Sequence, residues 1–340
     1  MKLFGKDLNT EVAIVAEIGV NHEGDVEAAS KLIRLARDAG ADAAKLQTYT
    51  PERYASASDP ARLKRVGGFA LGEPALRRLA GEASALGLPL FSTPLSEDVV
   101  PLLASLFPAM KIASGDLDFE PVVRAAAKTG KPVLISTGLG TLAEIEAAVG
   151  WVRDEVGQAN LRDRLILMQC VVAYPTPMEQ ANVLSIPYLA ERTGLRVGYS
   201  NHVIGPEACY AAVALGAPVV EVHFTDNKVG REFRDHTLSC DPDDLRRLVE
   251  TLPRVRASLG RPGKDRQACE TTNLLAVRKG VVAARDLTPG TVLARADLMF
   301  ARPATEFPSR DVGTLVGRKL KGALKRGETI RRADVDGGER

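Results

Sequence analysis

The apolar positions of this chain fall into eight short runs, each followed by a segment of helical periodicity. The first run, 12–19 (V-A-I-V-A-E-I-G), is almost continuous, the pattern of a strand buried on both faces. Asp25 stands where it can cap the next helix, whose Leu32, Ile33, Leu35 and Ala36 make one apolar stripe that Gly40 ends. A strand follows over 43–48, with Lys45 and Gln47 inside it. The polar stretch 49–72 reads as a long loop with one short helix; loops of that length in compact domains usually carry function or move. The alternation resumes with helix 73–86, strand 88–94, helix 97–106, strand 109–114, helix 119–129 and strand 132–138. Thr141 opens a helix reaching about residue 156, with Glu144 completing a capping-box pattern. A strand over 165–171 and a helix over 183–192 come next. Then a strand ends at His202, a short helix follows, another strand ends near His223, and a helix over 243–259 closes the series.

Strict alternation implies a parallel sheet, and eight such units predict an α/β fold of the closed (β/α)8, or TIM, barrel type. A doubly wound open sheet is the alternative. It would place a glycine-rich dinucleotide turn after the first strand, and I-G-V-N-H-E-G lacks the G-x-G-x-x-G spacing. The polar residues 261–275 read as a linker. From 276 the period changes to short strands and turns, with turn signals at Pro289-Gly290 and Arg326-Gly327. The expected organisation is a barrel over 1–260, the linker, and a small all-β domain over 276–340.

Composition changes this picture little. At 45% apolar and 26% charged, the 340 residues are ordinary for a globular chain, and a net charge of +2 points to no nucleic-acid partner. The charge is uneven, however: 276–340 holds 14 basic and 8 acidic residues, +6, which leaves −4 for the rest. Such a module could be a solvated face or could lean over an anionic site. Four scattered cysteines without a C-x-x-C pair suggest reduced thiols, not a disulfide framework or structural zinc. The apolar run at 12–20 is broken by Glu17 and lacks a basic leader, and no run is long enough to span a bilayer. The expected location is the cytoplasm, with no membrane partner.

The strand ends carry the chemistry. They present Glu17, Lys45 and Gln47, Ser92 and Thr93, Lys111 and Ser114, Ser136 and Thr137, Tyr174, the run Ser200-Asn201-His202, and His223. In a barrel of parallel strands these ends open onto one face, where active sites are built. Two imidazoles there could hold a divalent metal with positions left for substrate, or could be two hydrogen-bonded histidines and no more. Lysines inside strands are costly to bury unless they meet anions; each could also be a structural ion pair. Together with the hydroxyls they suit phosphate and carboxylate oxygens. Glu17 could move a proton or pair with a lysine. The set suggests phosphoryl-bearing or carbonyl chemistry with Lewis-acid help, without naming the reaction.

Several strings resemble the sialic acid synthase family, the phosphoenolpyruvate-dependent synthases of N-acetylneuraminate and related nonulosonic acids. They are A-E-I-G-V-N-H-E-G (16–24), K-L-Q-T (45–48), F-S-T-P (91–94), K-I-A-S-G-D (111–116), I-S-T-G (135–138), Y-P-T-P (174–177), Y-S-N-H (199–202) and H-F-T (223–225). The C-terminal segment, with A-R-P-A-T-E-F-P (301–308), resembles that family's antifreeze-like (SAF) domain. The resemblance implies that His202 and His223 bind manganese, or magnesium or cobalt in its place. It implies a phosphoenolpyruvate pocket of Lys45, Lys111, Ser114, Ser136 and Ser200, with Thr93 close by. Glu17 matches the carboxylate near the reacting centre, and Gln47, Tyr174, Asn201 and Asp235 match sugar-binding or site-shaping positions. Arg302 matches an arginine that one subunit lends to its neighbour's barrel in a domain-swapped homodimer.

The implied activity is that of a transferase: metal-assisted condensation of phosphoenolpyruvate with an open-chain N-acyl hexosamine of the N-acetylmannosamine type, releasing phosphate by C–O cleavage. Two departures bear on the sugar. The family pattern C-T-N-I-Y-P-T-P is C-V-V-A-Y-P-T-P here, so Val172 replaces a ligand-contacting asparagine, and the loop after His223 is not glycine-proline-rich. A legionaminate-type or sugar-phosphate-using synthase is therefore the alternative within the family. A metal-dependent aldolase without phosphoenolpyruvate, and a non-catalytic carbohydrate- or ice-binding protein, are the rivals outside it. His236 and His22 read as structural loop histidines.

Overall fold

The computed structural model describes residues 1–231, 233–304 and 306–337; Glu232 in the loop after His223, Thr305 in the A-R-P-A-T-E-F-P string, and the last three residues of the expected β domain lie outside the described residues. The chain divides into two compact units, Met1–Gly260 and Arg261–Arg340.

In the first unit a short antiparallel hairpin, β1 (Lys2–Leu3) and β2 (Lys6–Asp7), precedes eight parallel strands. These are β3 (Ala13–Gly19), β4 (Ala43–Thr48), β5 (Leu90–Pro94), β6 (Met110–Ile112), β7 (Val133–Ser136), β8 (Leu165–Gln169), β9 (Arg196–Asn201) and β10 (Val219–His223). They pair in chain order, and β10 returns to β3, so the sheet closes into the expected barrel. Closure explains the apolar runs: one face of each strand packs in the barrel and the other under the helices, so nearly every position in β3 to β10 is buried.

The capping signals act as read. Asp25 accepts from the amides of Glu27 and Ala28, and Thr141 and Glu144 form a reciprocal capping box on the helix Leu142–Val156. Three segments differ from expectation. The stretch 49–72 is not mainly loop: it holds two helices, Pro51–Tyr54 and Pro60–Phe69, each with proline in its first turn and the second capped by Asp59. A further helix, Gln158–Arg164, precedes β8. The N-terminal hairpin is packed against the barrel, with Phe4 and Phe91 ring centroids 4.9 Å apart and Leu3 and Leu8 buried. Among the described residues no helix is long and apolar enough to cross a membrane.

The second unit opens with helical turns, Ala268–Asn273 and Leu274–Val277, where the sequence suggested only linker. Strands β11 (Gly280–Ala283) and β12 (Leu298–Ala301) pair antiparallel, and isolated bridges such as Val282–Thr329 and Leu287–Leu324 extend the pairing. Its own small core includes Val281, Leu293, Phe307, Leu315 and Ile330.

Candidate active site

Register places the polar side chains. In paired parallel strands, residues side by side point to the same face, and that face repeats every second residue. Glu17 is level with Lys45 and with His223, Gln47 with Thr93, and Ser200 with Glu221. All seven line one cavity of about 1190 Å³, together with Lys111, Ser114, Ser136, Tyr174, His202 and Asp235. Such a volume exceeds the roughly 300–1,000 Å³ common for a single small-molecule site. Close backbone approach contributes at two glycines. A Cβ on Gly198 would lie 2.6 Å from the Met168 sulfur and from the Val219 carbonyl, so the barrel interior requires glycine there. A Cβ on Gly138 would lie 2.8 Å from Ser114 Oγ, the atom that accepts the Gly138 amide at 3.1 Å.

At the cavity floor two lysines and two carboxylates form a buried quartet. Lys45 Nζ lies 3.0 Å from Glu221 Oε1 and 3.3 Å from Glu17 Oε1, and Lys111 Nζ lies 3.4 Å from Glu221 Oε1. Lys45 also donates to Thr93 Oγ1 at 3.1 Å and Lys111 to Ser136 Oγ at 2.6 Å, while Ser200 Oγ donates to Glu221 Oε1 at 3.1 Å. Gln47 Nε2 donates to Glu17 Oε1 at 3.0 Å. The second oxygen of each glutamate, Oε2, is buried with no hydrogen-bond partner among the described residues. Burial raises Glu17 to about 7; Lys45 only partly opposes this, and Glu221 adds to it. Burial acts on Glu221 in the same sense, but Lys111 and Lys45 outweigh it and hold this carboxylate well below its usual range. Burial would lower both lysines. Glu17 and Glu221 reverse that for Lys45, whereas Lys111 remains lowered. The site therefore holds one ionised glutamate, and beside it one glutamate that can carry a proton near neutrality.

The two imidazoles stand next to this quartet, with ring centroids 5.2 Å apart. His202 Nδ1 lies 2.7 Å from the Val171 carbonyl; donating to it leaves Nε2 free as a ligand. Burial, with His202 and Lys45 adding to it, pushes His223 well below its usual range, so it stays neutral with a lone pair available. Imidazoles sharing one ion through bonds of about 2.1 Å have ring centroids on the order of 5 Å apart. The pair thus fits a divalent ion. Among the described residues no group of three or more His, Cys, Asp or Glu could hold a metal.

Other expectations fare differently. Asn201 is not part of the cavity lining. It alternates with the inward Ser200, and its side chain instead braces the strand end, accepting from Tyr199 Oη at 3.1 Å and donating to the Val203 carbonyl at 2.8 Å. Ser92 likewise faces away, donating to the Leu46 carbonyl. Arg302 lies in the second unit and is exposed. His236 has both nitrogens engaged, with Thr225 Oγ1 at 2.7 Å and Glu23 Oε1 at 3.1 Å, and His22 Nδ1 accepts the Gly24 amide at 3.0 Å. Sequence reasoning missed Glu221, although it sits two residues before His223 on the same face of β10. It also missed Cys170, whose sulfur is 3.7 Å from His202 Nδ1, and Arg234, stacked 4.9 Å over the Tyr174 ring.

Comparison with known proteins agrees with this architecture. Residues 32–264 match the NeuB family and residues 278–336 match the SAF domain. The chain is 31% identical to the N,N'-diacetyllegionaminic acid synthase of Legionella pneumophila, over 93% of this chain and 92% of that protein. It is 31% identical to the N-acetylneuraminate-9-phosphate synthase of Homo sapiens, over 95% and 92%. Among solved structures, the N-acetylneuraminic acid synthetase from Leptospira borgpetersenii, in complex with citrate, superposes with a TM-score of 0.73 at 31% identity, covering 78% of this chain and 90% of that one.

Proposed function

The chain belongs to the NeuB family, and from that premise we propose that it is a synthase condensing phosphoenolpyruvate with the open-chain form of an N-acyl hexosamine to give a nonulosonic acid and phosphate. The observation that carries this reading is the pairing, in one cup, of two buried ammonium groups with two imidazoles that fit a divalent ion. A small trianion is what such a floor suits: Lys45 and Lys111 meet its phosphate and carboxylate, and Thr93, Ser114, Ser136 and Ser200 supply hydroxyl contacts. His202 and His223 would hold the ion, manganese by the family resemblance, whose chemistry is Lewis-acid polarisation of an aldehyde oxygen.

In the reaction, C3 of phosphoenolpyruvate bonds to the aldehyde carbon, leaving positive charge at C2. Water adds there, and the C2–O bond to phosphate breaks. The fixed ammonium charges stabilise the phosphate as it departs. Glu17, oriented by Gln47, takes the proton of the added water at its unpartnered Oε2; a group raised to about 7 is suited to accepting and returning a proton near neutrality. Tyr174 and Asp235 line the wall where the acceptor lies, and Val172 offers it an apolar surface. The reading includes a homodimer in which Arg302 of a second copy completes the site.

Incubation with phosphoenolpyruvate, manganese and a panel of N-acyl hexosamines, followed by phosphate release and product mass, tests this. Release that requires both the ion and one of the sugars is expected. A product mass equal to the hexosamine plus pyruvate identifies the acceptor, with a diacetylated, legionaminate-type product as the second outcome within the family. No release with any sugar would leave a binding protein instead.

A further inference from the structure

Because β10 pairs with β3 to close the barrel, the turn after β3 and the loop after β10 leave the mouth side by side. The first holds the second in two ways. Asn21 Nδ2 donates to Ser239 Oγ at 3.0 Å, and Ser239 Oγ donates in turn to the Asp235 carbonyl at 2.6 Å. His236, fully buried, spans Thr225 Oγ1 at 2.7 Å and Glu23 Oε1 at 3.1 Å. A carboxylate oxygen only accepts, so the Nε2 of this ring carries the proton directed at Glu23. Glu23 also adopts a positive φ of 50°, a conformation that is costly for a residue with a side chain and persists where its surroundings impose it.

What these contacts hold is the single helical turn Asp235–Leu238. Its backbone is tied, but its first side chain is not. Asp235 lines the cavity, and its Oδ1 is buried with no hydrogen-bond partner among the described residues, although Arg234 Nε lies 3.3 Å away. A buried oxygen left in that state costs free energy that a ligand donor would return. We propose that Glu23 is a positioning residue of the acceptor site: through His236 it sets the orientation of the Asp235 carboxyl, which accepts a hydrogen bond from a hydroxyl of the sugar. Ser239 fixes one point of the turn and His236 a second, so without Glu23 the turn can pivot about Ser239. Lys45 and Lys111 make no contact with this chain of bonds, so phosphoenolpyruvate binding should not sense its loss. Glu23 itself lines the cavity, and direct contact with the sugar is the competing role that the experiment separates. The inference rests on the synthase reading of the cavity but concerns residues outside its floor.

Steady-state kinetics of the full-length, manganese-loaded protein test this, with phosphoenolpyruvate and the hexosamine that supports phosphate release. In Glu23→Ala the KM for the sugar should rise about fivefold, the effect of one lost hydrogen bond, while the KM for phosphoenolpyruvate stays within about twofold. Glu23→Gln keeps an oxygen that accepts from His236 and should bring the sugar KM back to within about twofold of the parent. Asp235→Asn should raise the sugar KM by itself, and adding Glu23→Ala to it should raise it no further. Additive rises would place Glu23 on the sugar directly, and equal rises for both substrates would mark a general loss of structure; either overturns the proposal. So does an unchanged sugar KM in Glu23→Ala, or a Glu23→Gln protein no better than Glu23→Ala. If no hexosamine releases phosphate, the synthase reading fails separately, and calorimetry with N-acetylmannosamine decides the positioning alone. Binding weakened about fivefold in Glu23→Ala and restored in Glu23→Gln supports it. Equal binding by the three proteins, or none by the parent, overturns it.

Discussion

At the scale of single residues, the quartet of Lys45, Lys111, Glu17 and Glu221 sets the properties of the floor. Two carboxylates share one environment, and the lysines divide them: Glu221, between both ammonium groups, stays ionised, while Glu17 rises to about 7 through burial. Glu17→Gln should reduce turnover by on the order of 10²–10⁴-fold, the usual contribution of a positioned acid or base. Phosphoenolpyruvate binding, measured by calorimetry, should be largely retained. The same shift has a consequence for stability. Folded Glu17 binds its proton more tightly than the unfolded side chain at 4.5, so its contribution is fully present below pH 4.5 and is lost as pH rises through about 7. In metal-free protein, the fall in melting temperature between pH 5 and 8 should be smaller for Glu17→Gln than for the parent. Glu221→Ala removes the counter-charge of two buried ammonium groups and should cost about 3–5 kcal/mol in urea unfolding.

At the scale of elements, the strand period decides what a side chain can touch. Near-continuous apolar runs, proline and glycine punctuation, and the Asp25 and Thr141 caps made the barrel legible, and the motifs at the strand ends located its mouth. The two-residue alternation of each strand then sorts the side chains at that mouth. It turns Asn201 out of the cavity and brings Glu221 in, and both follow from counting back from residues already placed at the mouth. The contacts of Glu221 with Lys45 and Lys111 were less accessible, because they arise only when β10 closes on β3 and strands distant in sequence meet across the barrel. The stretch 49–72 misled for another reason: its helices are short, polar and exposed on most faces, so they carry almost no apolar periodicity. Asn201→Ala should therefore lower stability by about 1–3 kcal/mol, through loss of the bonds bracing the end of β9. The KM for phosphoenolpyruvate should stay within about twofold, an outcome a direct ligand contact would not give.

At the scale of the whole molecule, a barrel able to hold the reactants is joined to a basic unit with a separate core. The proposed role of Arg302 in a second copy makes a specific demand. Arg302→Ala and Glu17→Gln proteins, each inactive alone, should recover activity when mixed and allowed to exchange subunits, because every mixed dimer then contains one site with both residues intact. No recovery despite exchange would place Arg302 outside the neighbour's site.

The proposed function requires one arrangement, in which an ion held by His202 and His223 would lie beside phosphoenolpyruvate held by Lys45 and Lys111. The most direct measurement is the phosphorus-31 relaxation of phosphoenolpyruvate bound to the manganese-loaded protein, compared with the His202→Ala/His223→Ala variant. Strong paramagnetic broadening in the parent, absent in the variant, is the predicted result. Bound phosphoenolpyruvate that relaxes identically in both proteins would contradict it.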